Sequence, residues 1–326
     1  MKALVTGANG FIGSHLVEGL IEKSYEVYCL VRKTSDLKWI KNLPVKFVYG
    51  DINDYSSLIE AVKDKEIVFH LAGLTKAYDV RDYYKVNAEG SKNLFQSCKE
   101  AGNNIKKIVY LSSLAITGPA NNMNSLTEDV KCQPVSDYGK SKYEGEKYAV
   151  QYMKELPITI IRPPVVYGPR DKDVYCYFQF VNKGIRLRIG YDEKYVSVVY
   201  VKDLVRGMIL VVESEKSTGQ IYFISEEKMY SYDEIGETIA SALNKKGISI
   251  TVPYFVAQGV SIITELISHI TKKPSLLNRQ KFFEMKQKYW ICSPIKAMKE
   301  LGFSIEYPLL EGIKITADWY KENHWL

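Results

Sequence analysis

Cysteine is sparse in this sequence and shows no pattern: Cys29, Cys98, Cys132, Cys176 and Cys292 are odd in number, widely spaced and never arranged as C-x-x-C. Such a set suggests neither a disulfide framework nor a zinc site. His15 and His70 have no carboxylate or cysteine at metal spacing, so both are expected to be structural and no metal is expected. A long apolar run is also missing. The most apolar later window, VAQGVSIITELISHI (Val256–Ile270), carries Glu265 and His269 and is too short and too polar to span a bilayer. The opening MKALVTG reads as a strand and leaves no room for a signal peptide, so a reducing cytoplasm is the expected compartment. Nor is there a run of about five basic residues. The net charge of +6 and pI near 8.7 come from dispersed lysines, and nucleic acid is not an expected partner.

What is present is ordinary globular composition, 46% hydrophobic and 25% charged over 326 residues, enough for one large domain or two moderate ones. The first half alternates short apolar runs (KALVTG, EVYCLVR, KFVYGD, EIVFHLAG, KIVYLSS, ITIIRPP) with helical stretches (HLVEGLIEK, SSLIEAVKD, VNAEGSKNLFQSCKEAG, SDYGKSKYEGEK). Strands apolar on both faces, alternating with helices, predict an α/β fold: a doubly wound parallel sheet of Rossmann type. After Ile161 the pattern loosens, and a smaller, mainly helical substrate lobe is expected. The boundary falls near 165, giving a dinucleotide-binding domain over 1–165, joined by part of 195–225, and a lobe over 166–326. Tyr195–Val212 is the stretch that can return a strand and helix to the first domain.

The strongest local signal is TGANGFIGSHLVEGL, in which a strand is followed by Gly7, Gly10 and Gly13 and then by a helix. Glycines permit a tight turn and close backbone approach, and a helix N-terminus offers free amides and partial positive charge to a pyrophosphate. At the end of the second strand an acid favours the free ribose hydroxyls of NAD, whereas an arginine accommodates the 2′-phosphate of NADP. Arg32 and Lys33 stand there and no acid does, so NADP is the expected cofactor, with NAD the alternative. Further on, SDYGKSKYEGEK puts Tyr138 one helical turn from Lys142. A nearby cation favours a phenolate, so the pair predicts a tyrosine of lowered pKa.

Together these motifs resemble the extended short-chain dehydrogenases/reductases of the NAD-dependent epimerase/dehydratase family, and the likeness runs over nearly the whole chain. TGANGFIG is similar to the family's glycine loop, GDIND to its adenine-contacting segment, HLAG to the strand end under the cofactor, and VNAEGSKNL to the fourth helix with Asn87. YLSSLAITG resembles the active-site serine segment and RPPVVYGPRD the loop after the sixth strand. The resemblance implies a catalytic Ser113, Tyr138 and Lys142, with Ser113 preferred to Ser112 by its distance from Gly118. It implies cofactor contacts from Gly7, Asn9, Gly10, Phe11, Ile12, Gly13, Arg32, Lys33, Asp51, Ile52, Leu71, Ala72, Gly73, Pro163 and Val166, and from Tyr138 and Lys142 again. It also implies a homodimer packed through the helices beginning near Tyr83 and Tyr138, with Phe95 and Tyr148 as candidate contacts.

Two departures separate the sequence from the family's sugar-nucleotide enzymes. The positions where those enzymes commonly carry phosphate-contacting Asn and Arg are Val165 and Val196, and the dehydratases' Thr-Asp-Glu is replaced by Ser-Ser-Leu at Ser112–Leu114. The pattern is nearer the dihydroflavonol-reductase and hydroxysteroid-dehydrogenase branch. The expected activity is NAD(P)H-dependent reduction of an uncharged ketone or aldehyde, or oxidation of the alcohol, on a small-molecule substrate. The alternatives are a nucleotide-sugar epimerase and an inactive cofactor-binding subunit. Arg170, Arg186 and Arg188 are the cations that could serve a phosphate from new positions.

Overall fold

The computed structural model describes residues 1–102, 104–271 and 277–326. All six apolar runs of the first half form strands: β1 Lys2–Thr6, β2 Glu26–Val31, β3 Lys46–Tyr49, β4 Ile67–His70, β5 Lys107–Leu111 and β6 Ile158–Arg162. They lie in the order β3-β2-β1-β4-β5-β6, and a seventh strand, Ile221–Phe223, pairs beside β6. Every pairing in this sheet is parallel. The direction in which the chain winds across the sheet reverses between β1 and β4, and ligands of such sheets bind at that crevice, beyond the carboxyl ends of the strands.

Helices cover both faces, as a parallel sheet requires. On one face α1 (Phe11–Glu22) packs with the helix Val201–Glu213, and Leu16, Leu20, Val205, Met208 and Ile209 share a core with Val5 and Val109. On the other, α2 (Tyr55–Val62), α4 (Gly90–Glu100) and α5 (Asp137–Tyr152) enclose Leu58, Leu94, Phe95 and Ala149 against Val68 and Tyr110. Phe95 is therefore a core residue, fully buried within its own subunit, and the expectation that it makes a dimer contact is corrected. Tyr148 is half-buried and lies under the Lys92 ammonium.

The short α3 (Val80–Tyr83) runs into α4 through one π-helical stretch, Tyr84–Glu89. Asn87 lies within this stretch and is fully buried.

Among the remaining elements a separate hydrophobic cluster gathers Tyr167, Phe178, Val196, Tyr200, Ile239 and Tyr320. The longest helices among these elements are Tyr254–Thr271, Leu309–Glu322 and Tyr232–Ala242. Among the described residues three small sheets also occur here. Their strands run from two residues (Tyr195–Val196) to five (Ile185–Ile189), too short for alternation to reveal in sequence. Within Tyr195–Val212 the strand Val198–Tyr200 pairs with Val165–Tyr167; the strand added to the large sheet is the later Ile221–Phe223.

Candidate active site

The glycine loop turns directly off β1. Gly10 N–H donates to Gly7 O at 3.0 Å, closing the turn, and Ser14 N–H to Gly10 O at 2.9 Å starts α1. A Cβ on Gly13 would lie 2.1 Å from Gly7 O, so this turn admits no side chain there, and Gly7 sits at φ +70°. The helix begins at Gly10 with no side-chain cap and no acid in its first turn. Its leading amides, from Phe11, Ile12 and Gly13, and the positive end of its dipole are thus left to an anion. This donor set fits a dinucleotide pyrophosphate.

The neighbouring segments converge on the same sheet edge. Thr6 Oγ1 accepts from the amides of Leu71 (3.2 Å) and Ala72 (3.0 Å), locking the end of β4 beside the loop. Its hydroxyl also meets His70 Nδ1 at 2.9 Å, and His70 Nε2 meets Ser91 Oγ at 2.9 Å. Burial pushes His70 down to about 3, so it is a neutral, doubly bonded structural group, as expected. His15 is likewise lowered to about 4, mainly by burial, and meets Pro169 O at 2.9 Å.

Asp51 holds Asn53 through its backbone amide (2.9 Å) and side-chain amide (3.0 Å). Ile52 is buried against Gly90 of α4. Arg32 and Lys33 are exposed after β2, with no ion pair among the described residues, and Arg32 N–H donates to Ser35 Oγ at 3.0 Å. Asn9 Nδ2 donates to Asp36 O at 3.2 Å, tying the glycine loop to that turn.

The catalytic candidates come together. Ser136 caps α5 by accepting from Gly139 N–H at 3.1 Å. A Cβ on Gly139 would stand 2.6 Å from Ala115 O; its absence lets the helix start lie against the turn after β5, which carries Ser113. Ser113, whose Oγ accepts from Ala115 N–H at 3.1 Å, lies near the Tyr138 side chain. Ser112 is buried with its hydroxyl unpartnered among the described residues.

Lys142 is buried one turn on, its Nζ donating to Leu111 O at 2.6 Å and lying 4.7 Å from the centre of the Tyr110 ring. A Cβ on Gly73 would fall 3.9 Å from that Nζ, so the cofactor strand end and the catalytic helix face one another. Asn87 braces both: Oδ1 accepts from Leu74 N–H at 2.8 Å, and Nδ2 donates to Leu74 O at 3.0 Å and to Ser141 Oγ at 2.9 Å. Pro163 O accepts from Leu114 N–H at 2.9 Å, and Val166 lies in the adjoining strand Val165–Tyr167.

One expectation reverses. Burial pushes Tyr138 up to about 12, with the Ser113 hydrogen bond pulling the other way. Burial also lowers Lys142 to about 8, against the pull of Glu146. The ammonium is engaged by Leu111 O, and the Ser113 hydroxyl is the neighbour that works against burial at the phenol.

The charge array continues beyond the residues that the sequence pointed to. Glu146, another turn along α5, forms a buried pair with Arg162 at 2.6 Å, and Arg162 Nη1 reaches Glu128 O at 3.0 Å. A charged residue closing a strand as apolar as ITIIR was the available signal, since buried charges are paired. Also missed was the helix Arg279–Lys286. Its Gln280 Oε1 accepts from Asp137 N–H and its Glu284 Oε1 from Ser136 Oγ, both at 2.5 Å, clamping the start of α5.

Val196 is 2% exposed and paired with Tyr230 and Trp290. Val165 is 40% exposed. Arg170, Arg186 and Arg188 are each held by a carboxylate, of Glu18 (2.6 Å), Glu237 (2.8 Å) and Asp233 (2.9 Å) respectively.

A parallel sheet with a glycine-loop cradle at its switch point is the arrangement of a dinucleotide-binding enzyme fold. The chain belongs to the NAD dependent epimerase/dehydratase family, whose model matches residues 3–225. It is 26% identical over 323 residues to the ceramide reductase of Caulobacter vibrioides, covering 99% of this chain and 95% of that protein. With the UDP-glucose 4-epimerase of Vibrio cholerae it shares 31% identity over 263 residues, 77% of this chain and 78% of the other. Among solved structures, the UDP-glucose 4-epimerase of Thermus thermophilus in complex with NAD superposes with TM-score 0.80 at 25% identity, over 98% of this chain and 99% of that one.

Proposed function

We propose that this protein is an NADPH-dependent oxidoreductase that interconverts an uncharged, largely apolar ketone or aldehyde and its alcohol. The observation that carries the reading is the buried Lys142, one helical turn from Tyr138 and facing Gly73 at the end of the cofactor strand. A bound nicotinamide supplies or accepts hydride at the carbonyl carbon. At its pKa of about 12, Tyr138 is a neutral phenol at physiological pH and donates its Oη proton to the carbonyl oxygen. Ser113 holds that oxygen and stabilises the phenolate left behind, and the Lys142 charge one turn away acts in the same sense. Arg32, exposed and without an ion pair among the described residues, suits a 2′-phosphate through parallel hydrogen bonds.

The substrate class follows from what the site lacks. A diphosphate needs cations and donors to replace its hydration. The arginines able to serve are already paired, and Val165 stands where an amide would help. The likeness to a ceramide reductase over nearly the full chain favours a lipid-like carbonyl, whereas the 31% identity to a UDP-glucose 4-epimerase supports nucleotide-sugar epimerisation as the second reading. The test offers purified protein a panel of long-chain ketones and a panel of UDP-sugars with NADPH or NADH. Reduction of a ketone with NADPH is expected; saturable epimerisation of a UDP-sugar, with every ketone untouched, would overturn the proposal.

A further inference from the structure

The helix Tyr254–Thr271 is packed inside out. The side it turns inward is small or polar, with Ala257, Ser261 and Ser268 buried, while Phe255 (76% exposed), Val256, Val260, Ile262, Ile263 (58%), Leu266 (58%) and Ile267 face outward. At ~100° per residue these seven cover an arc of roughly 160°, the width normally reserved for a core-facing stripe. The preceding strand carries exposed Ile248 and Ile250, and the next helix exposed Phe283. An apolar surface of this extent marks an interaction site.

The charge distribution identifies what covers it. Residues 245–288 contain eight of the chain's 44 Lys and Arg but only two of its 38 Asp and Glu, so the rest of the chain is neutral and the whole net charge of +6 resides in this segment. In a two-fold dimer through this face, like charge would meet like. An anionic lipid surface complements both features at once: apolar side chains enter the acyl boundary and basic side chains meet the headgroups. Among the described residues no helix is long and apolar enough to cross a membrane, and Ser261, Thr264 and Glu265 along the inner side suit a helix lying in the interface plane. We infer that the helix Tyr254–Thr271 docks the protein on anionic phospholipid bilayers.

The docking element is joined to the catalytic helix. Arg279 pairs with Glu265 at 2.8 Å, and the helix that Arg279 begins clamps the start of α5 through Gln280 and Glu284. A bilayer held against the outer helix therefore lies one helix away from Tyr138. Delivery of an apolar substrate from that bilayer rests on the function proposed above; the docking itself does not.

The test is sedimentation of the full chain with vesicles. Vesicles of phosphatidylglycerol and phosphatidylethanolamine are expected to bring down most of the protein at low salt, and vesicles of phosphatidylcholine far less. Ile263→Glu with Leu266→Glu should reduce the bound fraction about tenfold or more, with an unchanged melting profile. Lys245→Glu with Lys246→Glu, both exposed and without an ion pair among the described residues, checks the electrostatic half without touching the apolar face, and should reduce binding to anionic vesicles selectively. Failure of the wild type to sediment with anionic vesicles would overturn the inference, as would a wild-type dimer that the Ile263/Leu266 variant splits without any vesicle binding. Vesicle binding by a protein that reduces no carbonyl would sink the proposed reaction and leave docking intact; reduction of a soluble ketone by a protein that ignores vesicles would do the reverse.

Discussion

Tyr138 and Lys142 illustrate how burial competes with neighbours in setting acid strength. Desolvation penalises the phenolate and the ammonium alike, so the tyrosine rises to about 12 and the lysine falls to about 8. Tyr138→Phe should therefore lower turnover ~10²-fold or more while leaving cofactor affinity near wild type, and Ser113→Ala should lower it by about 10²–10³. Stopped assays with the same ketone check both, and near-wild-type turnover in Tyr138→Phe would remove the proton-donor role. Lys142 leaves a signature in stability. Its folded pKa of about 8 lies below the 10.5 of the free side chain, so between those values the unfolded chain holds more protons and stability rises with pH. The penalty, about 3 kcal/mol, is present in full below the folded value and gone above the unfolded one. Denaturant unfolding across that window should show the wild type gaining on Lys142→Met; parallel curves would mean that the lysine is not desolvated.

Elements set these side chains in place, and the tightest fixture is the buried Glu146–Arg162 pair joining α5 to the end of β6. Replacing Arg162 by Met leaves an unpaired buried carboxylate and should cost about 3–5 kcal/mol, whereas Glu146→Leu combined with Arg162→Met should cost much less. Equilibrium unfolding of the single and double variants measures the difference. Six of the seven strands of the large sheet are legible in sequence because each is a short, largely apolar run between helical patterns, the edge strand β3 being the one that is not buried. The π-helical stretch Tyr84–Glu89 is not, since the same residues satisfy an α-helical pattern. Tyr138 and Lys142 stand out in sequence by their four-residue spacing, whereas Ser113 is a candidate only through the family resemblance. Gln280 and Glu284 could not, because they lie more than a hundred residues from the helix that they clamp. The helix Tyr254–Thr271 is legible as a helix but not in its orientation, because periodicity finds an apolar face without saying what it meets.

At the scale of the whole molecule, cofactor choice and assembly are open to direct measurement. Exposed Arg32 should make NADPH bind more tightly than NADH, and Arg32→Asp should erase or reverse the order in fluorescence titrations; equal wild-type affinities would show the basic turn to be merely solvated. Pairing through α4 and α5 should give a homodimer in light scattering, against which a single 37.3 kDa species would count. Net reduction of an uncharged carbonyl is decided by the amount of NADPH consumed per substrate molecule converted. One equivalent should be oxidised for each alcohol formed, with the ratio lost in Tyr138→Phe. Conversion of a substrate with no net consumption of cofactor, as in epimerisation, would rule the reduction out.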